Sequence, residues 1–210
     1  MASDSKCKIC RRQGAKLFLK GDRCLSAKCA MIKKPYTPGP RKKKRPKPPS
    51  EYGKQLKEKQ KLRNWYNLEE HKFREYVMKT LKARGKVADA SAYLIKLLEG
   101  RLDNVVFRMG LAISRSAARV IVSHKHVLVN GKPMNFSSYQ VRKGDVISLK
   151  EKDKEKAGFK NIKEALKKYK APSWLELDAE KLEAKVKADP ILDEATPPAD
   201  LLAIFEFYSK

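Results

Sequence analysis

Long apolar runs are absent from the sequence. No segment approaches the ~20 consecutive apolar residues that a membrane-spanning helix requires. The N-terminal stretch MASDSKCKICRRQG has no apolar segment after its first charges, which is unlike a secretory signal. We therefore expect an intracellular protein without a membrane span.

Acidic residues are scarce relative to basic ones. The 210 residues include 24 Asp and Glu but 49 Lys and Arg, which gives a formal net charge of +25. Mutual repulsion at this charge opposes compaction unless a polyanion neutralises it. Nucleic acid is therefore the leading expected partner. An anionic membrane surface comes second, and a merely soluble basic protein comes third.

Cysteine occurs only in the first 32 residues, at Cys7, Cys10, Cys24 and Cys29. The spacing C-x2-C-x13-C-x4-C suits a tetrahedral zinc ion, because each short turn directs two sulfurs at one metal. The alternatives are four unligated thiols or two disulfides, which are rare in a reducing compartment. We expect one structural Zn²⁺, since four thiolates leave no open position for a catalytic water.

Residues 33–49, KKPYTPGPRKKKRPKPP, form a segment that cannot build a core. The segment contains eight Lys or Arg, six Pro and no acidic residue. Prolines keep such a chain extended, and it has too few apolar residues to pack. We expect a basic arm here.

Helical patterns dominate the next part of the chain. Residues 50–88 suit two helices, the first capped by Ser50 and the second starting at Asn67 with two glutamates in its first turn. An apolar stripe between residues 94 and 109 has a helical period. Gly100 is expected to divide this stripe into two helices.

A helix and a hairpin follow this stripe. The segment SRSAARVIVSHKH predicts a helix with Ser114 as its N-cap. Asn130-Gly131 is the strongest short signal for a two-residue hairpin turn, and an alternating strand is expected at 146–149. The tail after residue 171 suits a short strand, a helix and a hydrophobic end, LLAIFEFY, that must be buried.

The helix that begins at Ser114 has the pattern of an anion site. Arg115 and Arg119 are four residues apart and share a face near a helix N-terminus, which favours anions. The alternative is a solvated helix face with an ordinary serine cap. His124 and His126 end the same helix, where histidine is often only a partner of the helix dipole.

Several motifs in this order resemble one known family. RLDNVVFRMGLAISRSAARVIVSHKHVLVNGKPMNFSSYQVRKGD resembles the RNA-binding module named after ribosomal protein S-four, which also occurs in pseudouridine synthases and some tyrosyl-tRNA synthetases. PYTPG, SEYGKQLKEKQK and the four-cysteine segment are similar to the zinc-bearing version of the ribosomal family. The resemblance covers roughly residues 5–175, and the segment ADPILDEATPPADLLAI departs from the family pattern.

The resemblance implies a fold, a function and partners. The expected fold class is α+β, with an N-terminal zinc knuckle, a helical domain and a small helix-plus-antiparallel-sheet RNA-binding module. The expected function is a structural constituent of the small ribosomal subunit that binds 16S rRNA as a primary binder, nucleates assembly and influences decoding accuracy. Expected partners are a junction in the 5′ domain of 16S rRNA, ribosomal proteins S-five and S-three, and mRNA where it enters the subunit. The expected location is the cytoplasmic ribosome.

The resemblance also implies domain boundaries and site residues. The expected domains are the knuckle at 1–32, the arm at 33–49, a helical domain at 50–97 completed by 172–210, and the RNA-binding module at 98–171. The implied RNA contacts outside the module are Arg41, Lys42, Lys43, Lys44 and Arg45 in the arm, and Tyr52, Gln55, Lys59 and Arg63 on the first long helix. The implied contacts in the module are Arg101, Arg108, Arg115, Ser116, Arg119, His124, His126, Asn130, Lys132 and Lys143.

Two other classes of protein compete with this interpretation. An RNA-modifying enzyme with the same module would need a separate catalytic domain, and the sequence contains no G-x-x-x-x-G-K-[ST], H-E-x-x-H or G-x-S-x-G motif. A zinc-dependent DNA-binding regulator would need a recognition helix after the cysteines, where the Pro/Lys arm stands instead. We therefore expect no enzymatic activity.

Overall fold

The computed structural model describes residues 3–40, 48–156, 159 and 162–209. The chain divides into two compact units, a helical unit of residues 1–91 with 197–210 and a sheet unit of residues 92–196. The fold class is α+β, with a helical region and a small antiparallel sheet. Within the described ranges, no helix is long and apolar enough to cross a membrane.

The helical unit is built from six helices in its described part. They are α1 (Ser3–Gln13), α2 (Asp22–Leu25), α3 (Ala30–Lys33), α4 (Glu51–Trp65), α5 (Glu70–Lys82) and, from the end of the chain, α12 (Leu201–Ser209). As predicted, Ser50 caps α4, and its hydroxyl accepts a hydrogen bond from the Gly53 N–H at 3.2 Å. The N-cap of α5 is Glu69, whereas Asn67, the expected start, has a positive φ of 54° before the helix begins.

The hydrophobic end of the chain forms α12, which packs against α4 and α5. Ile204 and Phe205 of α12 are fully buried, as are Leu62 of α4 and Phe73 of α5. Burial of such large apolar side chains is the main favourable contribution to packing. The expectation that LLAIFEFY is buried holds for Leu201, Ile204 and Phe205, whereas Leu202 remains exposed.

The sheet unit combines helices with five antiparallel strands. Its elements are α6 (Ala90–Glu99), α7 (Leu102–Arg108), α8 (Arg115–Ser123), β1 (Val127–Val129), β2 (Lys132–Met134), β3 (Val146–Leu149), α9 (Glu151–Lys154), α10 (Ile162–Lys167), β4 (Leu175–Asp178), β5 (Glu183–Val186) and α11 (Leu192–Ala195). The strand order is β2-β1-β3-β5-β4. One buried core contains Val105 and Val106 of α7, Ala118 and Val122 of α8, and Ile147 of β3.

The end of the sheet differs from the expected domain boundaries. Residues 172–210 were expected to complete the helical domain, but β5 pairs with β3 and β4 pairs with β5, which places this part in the sheet unit. Leu182, Ala184 and Val186 are buried and alternate along the chain, a pattern that suits a strand with one face on the core. Only residues 197–210 join the helical unit.

Candidate nucleic-acid interface

Arg101 and Arg119, both expected to contact RNA, meet at a single carboxylate. Arg101 donates from Nε and Nη2 to Oδ1 and Oδ2 of Asp103, at 3.0 and 2.8 Å. Arg119 of α8 donates from Nε and Nη2 to the same Oδ2, at 3.1 and 2.9 Å. The Asp103 carboxylate therefore ties the start of α7 to α8.

The other two arginines of the module gather around Glu99. Arg108 donates from Nε and Nη2 to the two oxygens of Glu99, at 2.8 and 2.9 Å. Arg115 donates from Nε to Oδ1 of Asn104 at 2.7 Å, and its Nη2 lies 3.8 Å from Oε1 of Glu99. The Asn104 amide in turn donates to Oε2 of Glu99 at 2.6 Å. Glu99 and Asn104 thus hold both guanidinium groups.

The carboxylates of this arginine network lie in the interior, whereas part of its positive charge reaches the surface. Glu99 and Asp103 are only 1% and 4% exposed. The side chains of Arg108 and Arg119 remain 17% and 30% exposed. Buried carboxylates require paired donors, and the arginines supply them. The outer edge of Arg119 is therefore available to an anion such as an RNA phosphate, whereas Nη2 of Arg108 also donates to the Ala195 carbonyl at 3.3 Å.

Sequence reasoning found the arginines of this network but missed Glu99, Asp103 and Asn104. The available signal was the presence of two acids and an amide in an otherwise apolar helical stripe. Polar residues that interrupt such a stripe must find partners when they are buried. Their partners come from α8 as well as from their own segment, so the pairing depends on how the helices pack.

The N-terminus of α8 has the predicted serine cap. The Ser114 hydroxyl accepts a hydrogen bond from the Ala117 N–H at 3.3 Å. Arg115 is buried, and its guanidinium lies 4.7 Å from the centre of the Phe107 ring. Ser116 is half-buried on the first turn. Arg115 leaves this helix toward Asn104 of α7 and Glu99 of α6, and Arg119 leaves it toward Asp103 of α7.

The hairpin has the predicted turn, with φ values of 50° and 77° at Asn130 and Gly131. The Asn130 amide donates to Oδ1 of Asp145 at 2.8 Å, and its Oδ1 accepts from the Val146 N–H at 2.9 Å. Asn130 therefore connects the turn to the start of β3. Lys132 on β2 is exposed, so the hairpin presents its charge to solvent.

Several exposed basic residues follow the arginines of the network along the sequence. Lys143 and Arg142 are exposed in the turn before β3. His124 is exposed at the end of α8, and the exposed Lys125 follows with a positive φ of 59°. Lys125 is a further residue that sequence reasoning passed over, although its position beside His124 could have indicated it.

His126 is held by an acidic partner. Its Nδ1 lies 2.7 Å from Oδ2 of Asp153, and its ring lies parallel to that of His124 with centroids 5.9 Å apart. The other oxygen of Asp153 pairs with Lys156 at 2.6 Å. The hydrogen bond from Lys156, followed by that from His126, lowers the pKa of Asp153.

The face of α4 that was expected to contact RNA is largely occupied by the helical unit itself. Gln55 and Lys59 are buried. The Gln55 amide donates to Glu206 of α12 at 2.9 Å, and the Lys59 ammonium lies 2.6 Å from Oε1 of Glu70 on α5. The three side chains at i, i+3 and i+7 do share a face, but only Tyr52 is exposed. α12 covers Gln55 and Lys59, and both are paired within the helical unit, so RNA contact from them stays a prediction.

Glu70 is the acidic centre of this packed face. It also accepts hydrogen bonds from Arg63 at 3.2 Å and from the Tyr208 hydroxyl at 2.9 Å. Burial raises the pKa of Glu70, but the hydrogen bonds from Lys59 and Tyr208 outweigh it and bring the pKa below its usual value. Burial and the bond to Glu70 raise the pKa of Tyr208. Arg63 is half-buried and is likewise committed to this pairing.

An open basic cleft lies at the N-terminal end of the helical unit. It has a volume of about 330 Å³, and its charged lining consists of Arg23, Lys28, Lys33 and Lys34. In the part of the chain that the structure describes, none of these four side chains forms an ion pair. Arm residues Arg41, Lys42, Lys43, Lys44 and Arg45 lie outside the described residues.

The four cysteines line one small cavity of about 20 Å³. Cys10, Cys24 and Cys29 are buried, Cys7 is half-buried, and all four are free thiols. Burial raises the pKa of the Cys10 thiol, a hydrogen bond from the Leu17 backbone lowers it, and the other three thiols raise it further. Four soft sulfur donors around one cavity suit Zn²⁺ chemically. Over the described ranges, however, no group of three or more Cys, His, Asp and Glu has the arrangement of a metal site.

Comparison with known proteins agrees with this architecture. Residues 2–99 match the family model described as "Ribosomal protein S4/S9 N-terminal domain", and residues 100–147 match the "S4 domain". Over 204 residues the chain is 51% identical to small ribosomal subunit protein uS4 of Caldicellulosiruptor saccharolyticus. The alignment covers 97% of this chain and 96% of that protein. The chain belongs to the uS4 family. The uS4 proteins of Kosmotoga olearia and Thermus thermophilus are 46% and 42% identical over the same shares of both chains.

The uS4 family assignment places the arginine network in a recognised module. The S4-domain match runs from Gly100 to Ile147 and therefore contains Arg101, Arg119 and the whole hairpin. Glu99 is the last residue of the preceding match. Strands β4 and β5 lie beyond both matches, although they complete the sheet.

Proposed function

We propose that the chain is a structural protein of the small ribosomal subunit that binds 16S rRNA. The observation that carries this proposal is the arginine network, which holds two guanidinium groups at the surface of a module that the uS4 family shares. Guanidinium groups and exposed lysines bind RNA by neutralising phosphates, and folded RNA is recognised mainly by its shape. The family consists of ribosomal proteins and not of enzymes, so the protein works on the ribosome in the cytoplasm.

The module would supply the specific part of this binding. Arg108, Arg119 and His124 are at least partly exposed, the hairpin adds Lys132, and the turn before β3 adds Lys143. Together they would contact a multi-helix junction in the 5′ domain of 16S rRNA, where a primary binder nucleates assembly. The basic cleft beside the cysteines and the arm Arg41–Arg45 would add phosphate contacts of low sequence specificity.

Protein and mRNA contacts form a further part of the proposal. The family resemblance implies contacts with ribosomal proteins S-five and S-three and with mRNA where it enters the subunit. It also implies an influence on decoding accuracy. Tyr52 and Leu202 support a protein partner, because both are large apolar side chains that remain exposed on the helical unit. Exposed apolar groups of this kind are common in protein interfaces.

We also propose one structural zinc ion in the N-terminal segment. Cys7, Cys10, Cys24 and Cys29 would hold it, because all four thiols open onto one cavity. The ion would cross-link α1, α2 and the residue before α3, a segment with only a small core of Cys10, Leu17 and Leu19. Small cores of this size commonly depend on a metal or a disulfide.

The RNA proposal is tested by binding of the full chain to a transcript of the 16S rRNA 5′ domain. We expect tighter binding to this transcript than to an unrelated structured RNA of equal length at moderate salt. The affinity should fall steeply as the salt concentration rises, because bound phosphates release counterions. Equal affinity for the two RNAs would contradict specific 16S rRNA binding.

A further inference from the structure

Asp103 is a buried acidic residue directly beneath a basic side chain, Arg119, that should attract RNA. A carboxylate in such a place repels phosphates, so its presence requires a compensating role. Its two arginine partners differ in exposure, because Arg101 is 3% exposed as a whole whereas the Arg119 side chain is 30% exposed. Asp103 therefore connects an interior cation to a surface cation.

The hydrogen bonds of Arg119 fix the orientation of its guanidinium. Both Nε and Nη2 donate to Oδ2 of Asp103, so one edge of the planar group is occupied. Its Nη1 group has no hydrogen-bond partner among the residues that the structure describes. Guanidinium has five N–H donors in a rigid plane, and fixing one edge determines where the others can bind.

Arg108 has the same arrangement with a different carboxylate. Its Nε and Nη2 both donate to Glu99, which is buried. Two partly exposed arginines are thus each held through the same two nitrogen atoms by a buried acid. This repetition favours a common role over chance pairing.

We infer that Asp103 is a positioning residue for RNA binding, which holds the Arg119 guanidinium so that its outer edge meets a backbone phosphate. The inference rests on the proposed function. An unrestrained arginine loses rotamer freedom when it binds, whereas a restrained one has already lost it. Removal of the acid therefore weakens binding to folded rRNA, even though the protein becomes more positive. Electrostatics alone predicts the opposite sign.

The test is a double-mutant cycle in the full chain. Asp103→Asn alone would leave the buried Arg101 without its carboxylate. All variants of the cycle therefore also carry Arg101→Met. In this background Asp103 still pairs with Arg119. Asp103→Asn and Arg119→Gln are then introduced singly and together. Circular dichroism and thermal unfolding check that each variant is folded, and affinity is measured for the 16S 5′-domain transcript.

We expect Asp103→Asn to lower the affinity by up to about tenfold, the cost of ordering one long side chain on binding, and to cause no further loss when Arg119→Gln is present. Unchanged or tighter binding, or an equal loss in the Arg119→Gln background, would overturn the inference. Glu180→Gln serves as a matched control, because it removes the same charge from an exposed side chain of the same unit. This control should not weaken binding.

A second comparison avoids the buried pair. Arg119→Lys keeps the charge but replaces the planar fork with a single ammonium. We expect it to lose nearly as much affinity as Arg119→Gln, whereas retention of wild-type affinity would overturn the inference. If the unaltered chain does not prefer the 5′-domain transcript over an unrelated RNA, the proposed function fails as well. If only the Asp103 and Arg119 effects are absent, the proposed function stands.

Discussion

At the scale of single residues, the hairpin turn shows how one dipeptide positions a charge. Asn130 and Gly131 both have positive φ, and the Asn130 side chain also bonds to Asp145 and to the Val146 N–H. The turn is therefore fixed by its backbone and by its side chain. Lys132, the residue that follows, is presented to solvent from a rigid base.

Gly131→Val should weaken RNA binding more than Lys132→Ala does. Space is not the limit, because a Cβ at Gly131 would have no atom within 4 Å, but φ is +77°. A branched side chain in this region costs about 1–2 kcal/mol and should distort the turn. Lys132→Ala removes one charge and leaves the turn intact.

Thermal unfolding measures the stability of the two hairpin variants, and their affinity for the 5′-domain transcript measures RNA binding. Wild-type affinity for Gly131→Val, with the predicted loss of stability, would show that the hairpin is only scaffold.

Residue identity predicted the donors of the site better than their partners. Arg115 and Arg119 were predicted from their four-residue spacing near a helix N-terminus, whereas Arg101 and Arg108 followed from the family resemblance. That Asp103 would accept from Arg119 could not be predicted, because the pair is 16 residues apart and depends on the packing of α7 against α8.

At the scale of elements, the helix boundaries that could be predicted from the sequence are those marked by a local signal, such as a capping serine or a glycine. Ser50 and Ser114 cap α4 and α8 as expected, and Gly100 separates α6 from α7. Strands β4 and β5 were not predicted as part of the sheet, because the pairing of β5 with β3 joins distant parts of the chain. The burial of Gln55 and Lys59 likewise depends on α12, which comes from the far end of the sequence.

The N-terminal segment should lose its order when one cysteine is removed. Metal analysis of the purified chain should find about one zinc per chain, the number that four cysteines can hold. Cys24→Ser should abolish stoichiometric zinc and make residues 3–40 sensitive to protease, while the sheet unit stays folded. Leu25→Ser is the matched control, because it alters an exposed neighbour of Cys24 and should retain zinc. Zinc well below stoichiometry in the unaltered chain, or protease resistance in Cys24→Ser, would contradict the proposal.

At the scale of the whole molecule, charge and family membership lead to the same conclusion. The formal charge of +25 requires a polyanion, and the uS4 relatives match 97% of the chain. Glu99 and Asp103, two of the few buried acidic residues within the described ranges, are paired with arginines in the interior.

The most direct test of this account is co-sedimentation of the chain with small ribosomal subunits through a high-salt wash. Non-specific binding by basic proteins depends on phosphate contacts alone and is lost as salt rises, whereas specific binding survives to higher salt. We predict that the chain remains with the subunits at a stoichiometry of about one per particle, as expected for a single defined site. Complete release into the supernatant, at a salt concentration that leaves the subunits intact, would contradict the central claim.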